Sequence, residues 1–195
     1  MTTKNHRTTD VDRVLQSLGT LPSAQLRPAL VVVAGLPGTG KSAFSRDLAL
    51  RTGAVILESD AIRHLLFERP SYSWQESRQL FAALHTAVEK LLDTGISCII
   101  DATNLAERYR RPLYDVADKC RAKLVVVEVT APAEVALQRL SERAAAPGSP
   151  SDADAAIYQR MRRHWEEIER EHFAVDTSEP TAKAVAAIAR EMKRP

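Results

Sequence analysis

The fold of this chain is decided by the stretch Gly35-Leu36-Pro37-Gly38-Thr39-Gly40-Lys41-Ser42, which fills every fixed position of the pattern G-x-x-x-x-G-K-[ST]. An unbroken apolar run, 30–34, precedes it, as a buried parallel strand requires. Phe44, Leu48 and Leu50 follow it at roughly helical spacing. Strand, glycine-rich loop and helix in this order predict a phosphate-binding loop.

Such a loop binds the phosphates of a nucleoside triphosphate. Its glycines let backbone N–H groups surround phosphate oxygens, and the N-terminus of the next helix adds the positive end of its dipole. We predict that Lys41 reaches the β- and γ-phosphates and that the Ser42 hydroxyl binds Mg²⁺. The predicted nucleotide site comprises the whole stretch and Ala43, which follows it.

Length and composition predict one soluble α/β domain. A chain of 195 residues is long enough for one well-packed core and short for two. Its net charge of +2 is too small to indicate nucleic acid or membrane as a partner. Cys98 and Cys120 lack metal-ligand spacing, which favours unpaired thiols in a reducing compartment. Without a membrane-length apolar run or a signal-peptide core, the predicted location is the cytoplasm.

The hydrophobic pattern predicts five short strands that alternate with helices. The strands are expected at 30–34, 54–58, 96–101, 123–129 and 173–176. The helices other than the one after the phosphate-binding loop are expected at 10–18, 59–67, 73–94, 106–119, 132–143, 154–172 and 181–193. This alternation predicts a parallel sheet with right-handed crossovers and helices on both faces.

Three segments carry further expectations. Residues 1–28 are expected to form a polar segment and one short helix ahead of the domain at 29–195. Pro112 is expected to delay the start of its helix or to kink it. The Ala/Pro/Gly/Ser run 144–151 predicts a flexible loop, and Ile157, Met161, Trp165 and Ile168 predict one apolar stripe on the helix that follows it.

Two acidic residues stand where strands end, and ligands of parallel sheets collect at that edge. Asp60 follows the second strand and Asp101 ends the third, so both should face the phosphate-binding loop. Each carboxylate could bind Mg²⁺ or accept the proton of an attacking hydroxyl, and each could instead cap a helix. Their position beside the loop favours a functional role, with the choice of base between them left open.

Further polar residues follow these acids. Arg63 lies three residues after Asp60, which predicts that both side chains project from one side of a helical turn towards an anionic acceptor group. Thr103 and Asn104 follow Asp101 and could contact the substrate or form a turn.

Arg139 and Arg143 are four residues apart on one predicted helix and lead into the flexible loop. Phosphoryl transfer requires cations around the transferring group, and a lid that carries arginines supplies them. We therefore favour a lid over a solvated helix face. The weaker basic clusters, at 108–111 and 160–163, are interpreted as solvated, and Tyr72 as a less favoured substrate-stacking group.

Together, the phosphate-binding loop, the Asp60-x-x-Arg63 element, the segment 100–104 and the Arg139/Arg143 pair resemble the P-loop kinases of the polynucleotide-kinase-like branch. These have AAA-type ATP binding and zeta toxins and gluconate kinases among their relatives. The resemblance covers roughly 29–190. It implies a P-loop NTPase fold: a three-layer α/β/α arrangement with a five-stranded parallel sheet in the order 2-3-1-4-5 and a small lid around 139–156.

The resemblance also implies roles for individual residues. Lys41 and Ser42 would bind the triphosphate and Mg²⁺. Asp101 is the second expected Mg²⁺ ligand because of its place at the end of the third strand, and not because of the resemblance. Asp60 would act on the acceptor hydroxyl, and Arg63 would position the acceptor. The lid arginine would be Arg139 or Arg143, and Asp176 and Thr177 would flank the adenine of ATP.

The expected function is therefore an ATP- and Mg²⁺-dependent kinase that acts on a hydroxyl. A sugar, polyol or metabolite alcohol is favoured as acceptor, because neither charge nor aromatic residues indicate a nucleic-acid groove. The 5′-hydroxyl end of a polynucleotide is the alternative that Asp60-x-x-Arg63 supports. A third alternative is a nucleotide-binding switch or ATPase without an acceptor, although no water-activating glutamate follows the third strand. The choice between ATP and GTP stays open.

Overall fold

The structure is a computed structural model that describes residues 9–145 and 154–194. The strands are β1 (Ala29–Ala34), β2 (Val55–Glu58), β3 (Cys98–Asp101), β4 (Lys123–Thr130) and β5 (Phe173–Asp176). The helices are α1 (Asp10–Ser17), α2 (Lys41–Thr52), α3 (Ser59–Leu66), α4 (Trp74–Asp93), α5 (Glu107–Lys119), α6 (Ala133–Ala144), α7 (Ala155–Arg163) and α8 (Ala182–Glu191). Most of the predicted flexible loop, and the middle of the predicted lid, lie outside the described residues.

The strands form one sheet in the order β2-β3-β1-β4-β5, which confirms the predicted order. All four neighbouring pairs are parallel. The register pairs Asp101 with both Val33 and Glu58, so the carboxyl ends of β1, β2 and β3 lie at one edge. This is the edge that the phosphate-binding loop follows.

Alternate residues of β1 enter two separate cores, one on each face of the sheet. Leu30 and Val32 join a core built with α1, α3, α4 and α5. Val31 and Val33 join a second core built with α2 and α8. Because successive side chains of a strand point to opposite faces, this division fixes β1 in the middle of three layers. All residues of β1 are fully buried, which explains the unbroken apolar run.

The N-terminal helix α1 is fastened to the sheet face that carries α3. Thr9 and Asp12 form a reciprocal capping box at its start. Farther along, the guanidinium group of Arg13 donates hydrogen bonds to the carbonyls of Leu65 and Leu66 at the end of α3. The helix therefore supports the element that carries Asp60.

The predicted helix 154–172 is wrong in its second half, because α7 ends at Arg163. After this helix the chain runs back to the sheet, where Ile168 enters the first core and Trp165 packs against it. The carbonyls of Glu166 and Glu167 accept hydrogen bonds from a buried arginine instead of continuing a helix. The four residues of the predicted apolar stripe therefore belong to two segments: Ile157 and Met161 lie on α7, and Trp165 and Ile168 follow it.

Leu50 and Pro112 are two further residues whose surroundings the structure shows. Leu50 does not belong to the apolar face of α2, since its side chain is 87% exposed. Pro112 lies inside α5, which begins at Glu107 and continues past the proline to Lys119. Within the described ranges, no helix is long and apolar enough to cross a membrane.

Leu48 and Leu50 offer a matched test of this packing, because both lie on α2 and only Leu48 is fully buried. We expect Leu48→Ala to lower the free energy of unfolding by about 2–5 kcal/mol, through lost burial and the cavity left behind. The control Leu50→Ala should change it by no more than about 0.5 kcal/mol. Urea denaturation measures both values, and equal losses would contradict the assigned faces of α2.

Candidate active site

A cavity of about 530 Å³ lies at the carboxyl edge of the sheet. It is enclosed by the phosphate-binding loop, the ends of β2 and β3, and helices α6 and α7. Of the residues singled out from the sequence, its walls include Gly38, Lys41, Ser42, Asp60, Asp101 and Thr103. Pro37, Ala43, Arg139 and Arg143 also line it. The structure thus brings most of the predicted residues into one cavity.

The phosphate-binding loop is packed closely against α6. Gly38 has a left-handed backbone (φ 79°), and a Cβ at this position would lie 2.4 Å from the carbonyl oxygen of Ala136. Gly40, at φ 84°, is the residue before α2, which begins at Lys41. These glycines are therefore required by the fold of the free protein, in addition to any approach of a phosphate.

Thr177 holds the loop to the end of the sheet. Its hydroxyl donates a hydrogen bond to the carbonyl of Thr39 (2.7 Å) and accepts one from Arg139 (2.7 Å). The other arm of the Arg139 guanidinium donates to the carbonyl of Thr177 (2.9 Å). Arg139 is thereby fixed at the side of the cavity, whereas Thr177 itself does not line it.

Asp176, the other residue predicted to flank the adenine, also lies outside the cavity lining. Its carboxylate accepts hydrogen bonds from the backbone N–H (2.8 Å) and the hydroxyl (2.7 Å) of Ser178. These bonds lower the pKa of Asp176. These hydrogen bonds link Asp176 to Ser178 and form a turn directly after β5.

Lys41 is directed along the loop. Its ammonium group donates a hydrogen bond to the carbonyl of Leu36 (2.9 Å). Burial lowers the pKa of Lys41, while Asp101 and Asp60 act in the opposite direction. A lysine with a single backbone acceptor and two nearby carboxylates is placed to exchange this bond for phosphate oxygens.

Asp101 is the most buried acid of the cavity, with 3% of its surface exposed. Burial raises its pKa, and Lys41 and the Ser42 hydroxyl act against this shift. Its Oδ2 atom is buried and has no hydrogen-bond partner in the part of the chain that the structure describes. A buried carboxylate oxygen without a partner beside a hydroxyl provides the hard oxygen ligands that Mg²⁺ prefers, so Ser42 and Asp101 fit this ion.

Glu58 is a cavity residue that the sequence reading missed. It was interpreted as part of a strand, yet it pairs in register with Asp101 and its side chain lines the cavity. Burial raises its pKa, and Asp101 and Asp60 raise it further. The sequence did contain a signal for Glu58, because an acid at the end of a strand is the same pattern that identified Asp101.

Asp60 lies in the first turn of α3 and lines the cavity. The alternative that it caps this helix does not fit, because the capping position is Glu58 and no side chain there forms a capping hydrogen bond. Asp60 shares the cavity with Lys41, Glu58 and Asp101, and its negative charge acts to raise the pKa of each of these three groups.

Arg63 does not project into the cavity with Asp60, contrary to the sequence-based expectation. It is 6% exposed and pairs with Glu76 at 2.5 Å. Although burial opposes it, hydrogen bonds from Arg63 and Ser71 hold the pKa of Glu76 at about 2. The Arg63 guanidinium also lies 4.7 Å from the ring centre of Tyr72, which does line the cavity. Arg63 therefore packs against a residue of the cavity wall, Tyr72, and does not line the cavity itself.

The opposite wall is formed by α6 and α7. Arg143 lines the cavity, and its Nη2 atom is buried without a hydrogen-bond partner among the described residues, 9–145 and 154–194. From α7, Ile157, Arg160 and Met161 reach the same cavity. Arg160 belongs to a cluster that the sequence reading treated as solvated. Arg139 on the same wall is bonded to Thr177, so Arg143 and Arg160 are the cations of this wall, within the described ranges, that could meet an incoming anion.

Thr103 and Asn104, the two predicted residues of the loop after β3, have different environments. Thr103 lines the cavity, and its carbonyl accepts a hydrogen bond from the N–H of Gly35 (3.1 Å). Asn104 is buried and donates from its side chain to the carbonyl of Val33 (2.7 Å). Asn104 therefore fastens the loop to the central strand and does not line the cavity.

The comparisons with known proteins agree with this architecture. The chain is 28% identical over 116 residues to an L-seryl-tRNA(Sec) kinase of Methanococcus maripaludis, a match that covers 58% of this chain and 46% of that protein. The chain spans between a third and a half of the length of the curated relatives it matches.

Solved structures share the fold. Kti12 of Chaetomium thermophilum, in complex with ADP-AlF3, has a TM-score of 0.67 at 20% identity, over 85% of this chain and 100% of that one. The APS kinase CysC of Mycobacterium tuberculosis, in complex with AMPPNP and APS, has a TM-score of 0.66 at 17% identity, over 89% and 100%. The predicted P-loop NTPase fold is confirmed, and it is the fold of P-loop kinases.

A family model described as AAA domain matches residues 30–168, which include all but the first residue of β1, the phosphate-binding loop and the acids Glu58, Asp60 and Asp101 of the cavity. Since this match covers more than half of the chain, the protein belongs to that AAA domain family.

Proposed function

We propose that this protein is an ATP- and Mg²⁺-dependent kinase that transfers the γ-phosphoryl group to a hydroxyl of a small-molecule acceptor. One observation carries the proposal: a single cavity contains the phosphate-binding lysine, the Ser42/Asp101 pair and a further carboxylate, Asp60. Phosphoryl transfer requires these elements together, namely cations for the phosphates, ligands for the metal and an acid for the nucleophile.

Each group has a task in this reaction. The loop N–H groups and Lys41 bind the phosphates, and Arg143 neutralises charge that develops on the transferred group. Ser42 and Asp101 would hold Mg²⁺, which when bound neutralises charge on the β- and γ-phosphate oxygens. Asp60 orients the acceptor hydroxyl and accepts its proton. Glu58 adds negative charge beside Asp60 and Asp101, and this charge favours the protonated form of Lys41.

The cavity favours a small acceptor over a polynucleotide end. The polynucleotide alternative depended on Arg63, and this arginine is paired with Glu76 outside the cavity lining. The related proteins are named as kinases of L-seryl-tRNA(Sec) and of APS, which supports kinase chemistry without selecting one acceptor. Arg160 and Tyr72 face the remaining space and suit an alcohol that carries an anionic or a flat group.

Lys41→Ala tests the kinase reaction directly. With γ-labelled ATP and a panel of sugars, polyols, metabolite alcohols and a 5′-hydroxyl oligonucleotide, we expect the variant to lose at least about a hundredfold in transfer rate, because the cation that binds the phosphates is removed. The exposed Lys183→Ala is the matched control and should keep the wild-type rate. Circular dichroism and thermal melting check that both variants fold.

The label separates the alternatives. Transfer to the oligonucleotide alone would replace the small acceptor by a nucleic-acid end. Release of the label as inorganic phosphate in the absence of any acceptor would favour the ATPase or switch. If Lys41→Ala transferred phosphate at the wild-type rate, the kinase proposal would be wrong.

Asp60→Asn separates the base from the metal ligands. This change keeps the size of the side chain and removes its ability to accept a proton, so we expect a loss of about a hundredfold or more in kcat with nucleotide affinity nearly unchanged. Asp118→Asn, an exposed acid on α5, is the control. Measurements of kcat and of nucleotide binding by titration calorimetry give the two values. An unchanged kcat for Asp60→Asn would transfer the role of base to another acid of the cavity.

A further inference from the structure

Arg110 is a buried cation for which the proposed reaction has no use. It lies on α5, outside the lining of the cavity, and its surface is completely buried. A buried guanidinium is stable only where hydrogen-bond acceptors surround it. Most of its acceptors are backbone carbonyls, so Arg110 is held by the course of the chain more than by a counter-ion.

The contacts of Arg110 join two separate segments. Its Nη1 atom donates to the carbonyl of Asn104 (3.1 Å) and to the carbonyl of Glu166 (3.0 Å). Its Nη2 atom donates to the carbonyl of Glu167 (3.0 Å). Among the described residues, the carboxylate partner of Arg110 is Glu107, which accepts from Nε at 3.2 Å and is itself half exposed.

The first segment is the loop after β3, which reaches the phosphate-binding loop. Asn104 is fixed to β1 through the carbonyl of Val33, and the carbonyl of Thr103 accepts the N–H of Gly35. The side chain of Thr103 lines the cavity. A shift of Asn104 would therefore move both a cavity residue and the entry of the phosphate-binding loop.

The second segment, residues 164–168, is the chain that returns from α7 to the sheet, and we call it the return segment. Two further bonds fasten it to the same place: the N–H of Glu166 donates to the carbonyl of Leu105 (3.0 Å), and its carboxylate accepts the N–H of Glu107 (2.8 Å). The return segment directly follows α7, which carries the cavity residues Arg160 and Met161.

We propose that Arg110 is a positioning residue that holds the return segment and the loop after β3 in one arrangement, so that the α7 wall of the cavity keeps its place opposite Thr103 and the phosphate-binding loop. An arginine suits this task because its planar fork can donate to several carbonyls at once, whereas a lysine ammonium cannot span them. The effect on catalysis rests on the proposed kinase function, and the effect on the two segments does not.

The kinetic test compares Arg110→Lys with Arg111→Lys, its neighbour on α5, which is exposed and pairs with Asp115. If α7 and Thr103 lose their relative position, the acceptor is held less well. We expect kcat/KM for the acceptor to fall on the order of tenfold to a hundredfold, as misplacement by about 1 Å can cause, with nucleotide affinity within about twofold of wild type. The control should match wild type in both quantities.

Hydrogen exchange tests the coupling without any activity. In Arg110→Lys we expect faster amide exchange in 102–105 and in 155–168 together, and no such change in Arg111→Lys. Arg110→Met, which removes all the donors, should show the same pattern more strongly if it folds. Faster exchange restricted to α5, or a lower melting temperature with unchanged acceptor kinetics, would overturn the positioning role.

The outcomes also separate this inference from the proposed function. If the wild-type protein transfers no phosphate to any acceptor, the kinase proposal fails, and the paired exchange of 102–105 and 155–168 still decides the role of Arg110. If the wild type is an active kinase and Arg110→Lys keeps both its kinetics and its exchange pattern, only the role of Arg110 is refuted.

Discussion

The structure depends on how closely the phosphate-binding loop packs against the elements around it. A Cβ on Gly35 would meet the carbonyl of Val129 on β4, and one on Gly38 would meet the carbonyl of Ala136 on α6. Thr177, at the end of β5, fills the space next to Gly40. The loop is therefore held by β4, α6 and the chain after β5, and its N–H groups are set in position before any phosphate arrives.

The same packing brings charged side chains close together at the carboxyl edge of the sheet, where the proposed ligands would bind. The sheet register brings Asp101 and Glu58 side by side, and burial raises the pKa of both carboxyl groups. The same burial lowers the pKa of Lys41. Asp101 is buried, while Glu58 and Lys41 are partly buried. Such a concentration of charges away from water costs stability, and sites of this kind bind charged ligands that supply the missing partners. Phosphates and Mg²⁺ are those partners in the proposed function.

Much of this was predictable from sequence, because the relevant signals are local. The apolar run of β1, the glycine pattern and the acids at strand ends predicted the sheet, the loop and the positions of Asp60 and Asp101. Two of the failures involve contacts between segments that are separated in the sequence. Arg63 pairs with Glu76 across a turn, and residues after Arg163 leave the helical pattern because Arg110 and the core provide other partners. Periodicity within one segment contains no information on such partners.

The most direct measurement is amide hydrogen exchange of residues 35–43 with Mg²⁺ and a non-hydrolysable ATP analogue. If the loop is a preformed phosphate site, exchange of these amides should slow in the wild-type protein and should slow much less in Lys41→Ala. Slower exchange elsewhere in the protein, with 35–43 unchanged at saturating analogue, would contradict the phosphate site on which the proposed function rests.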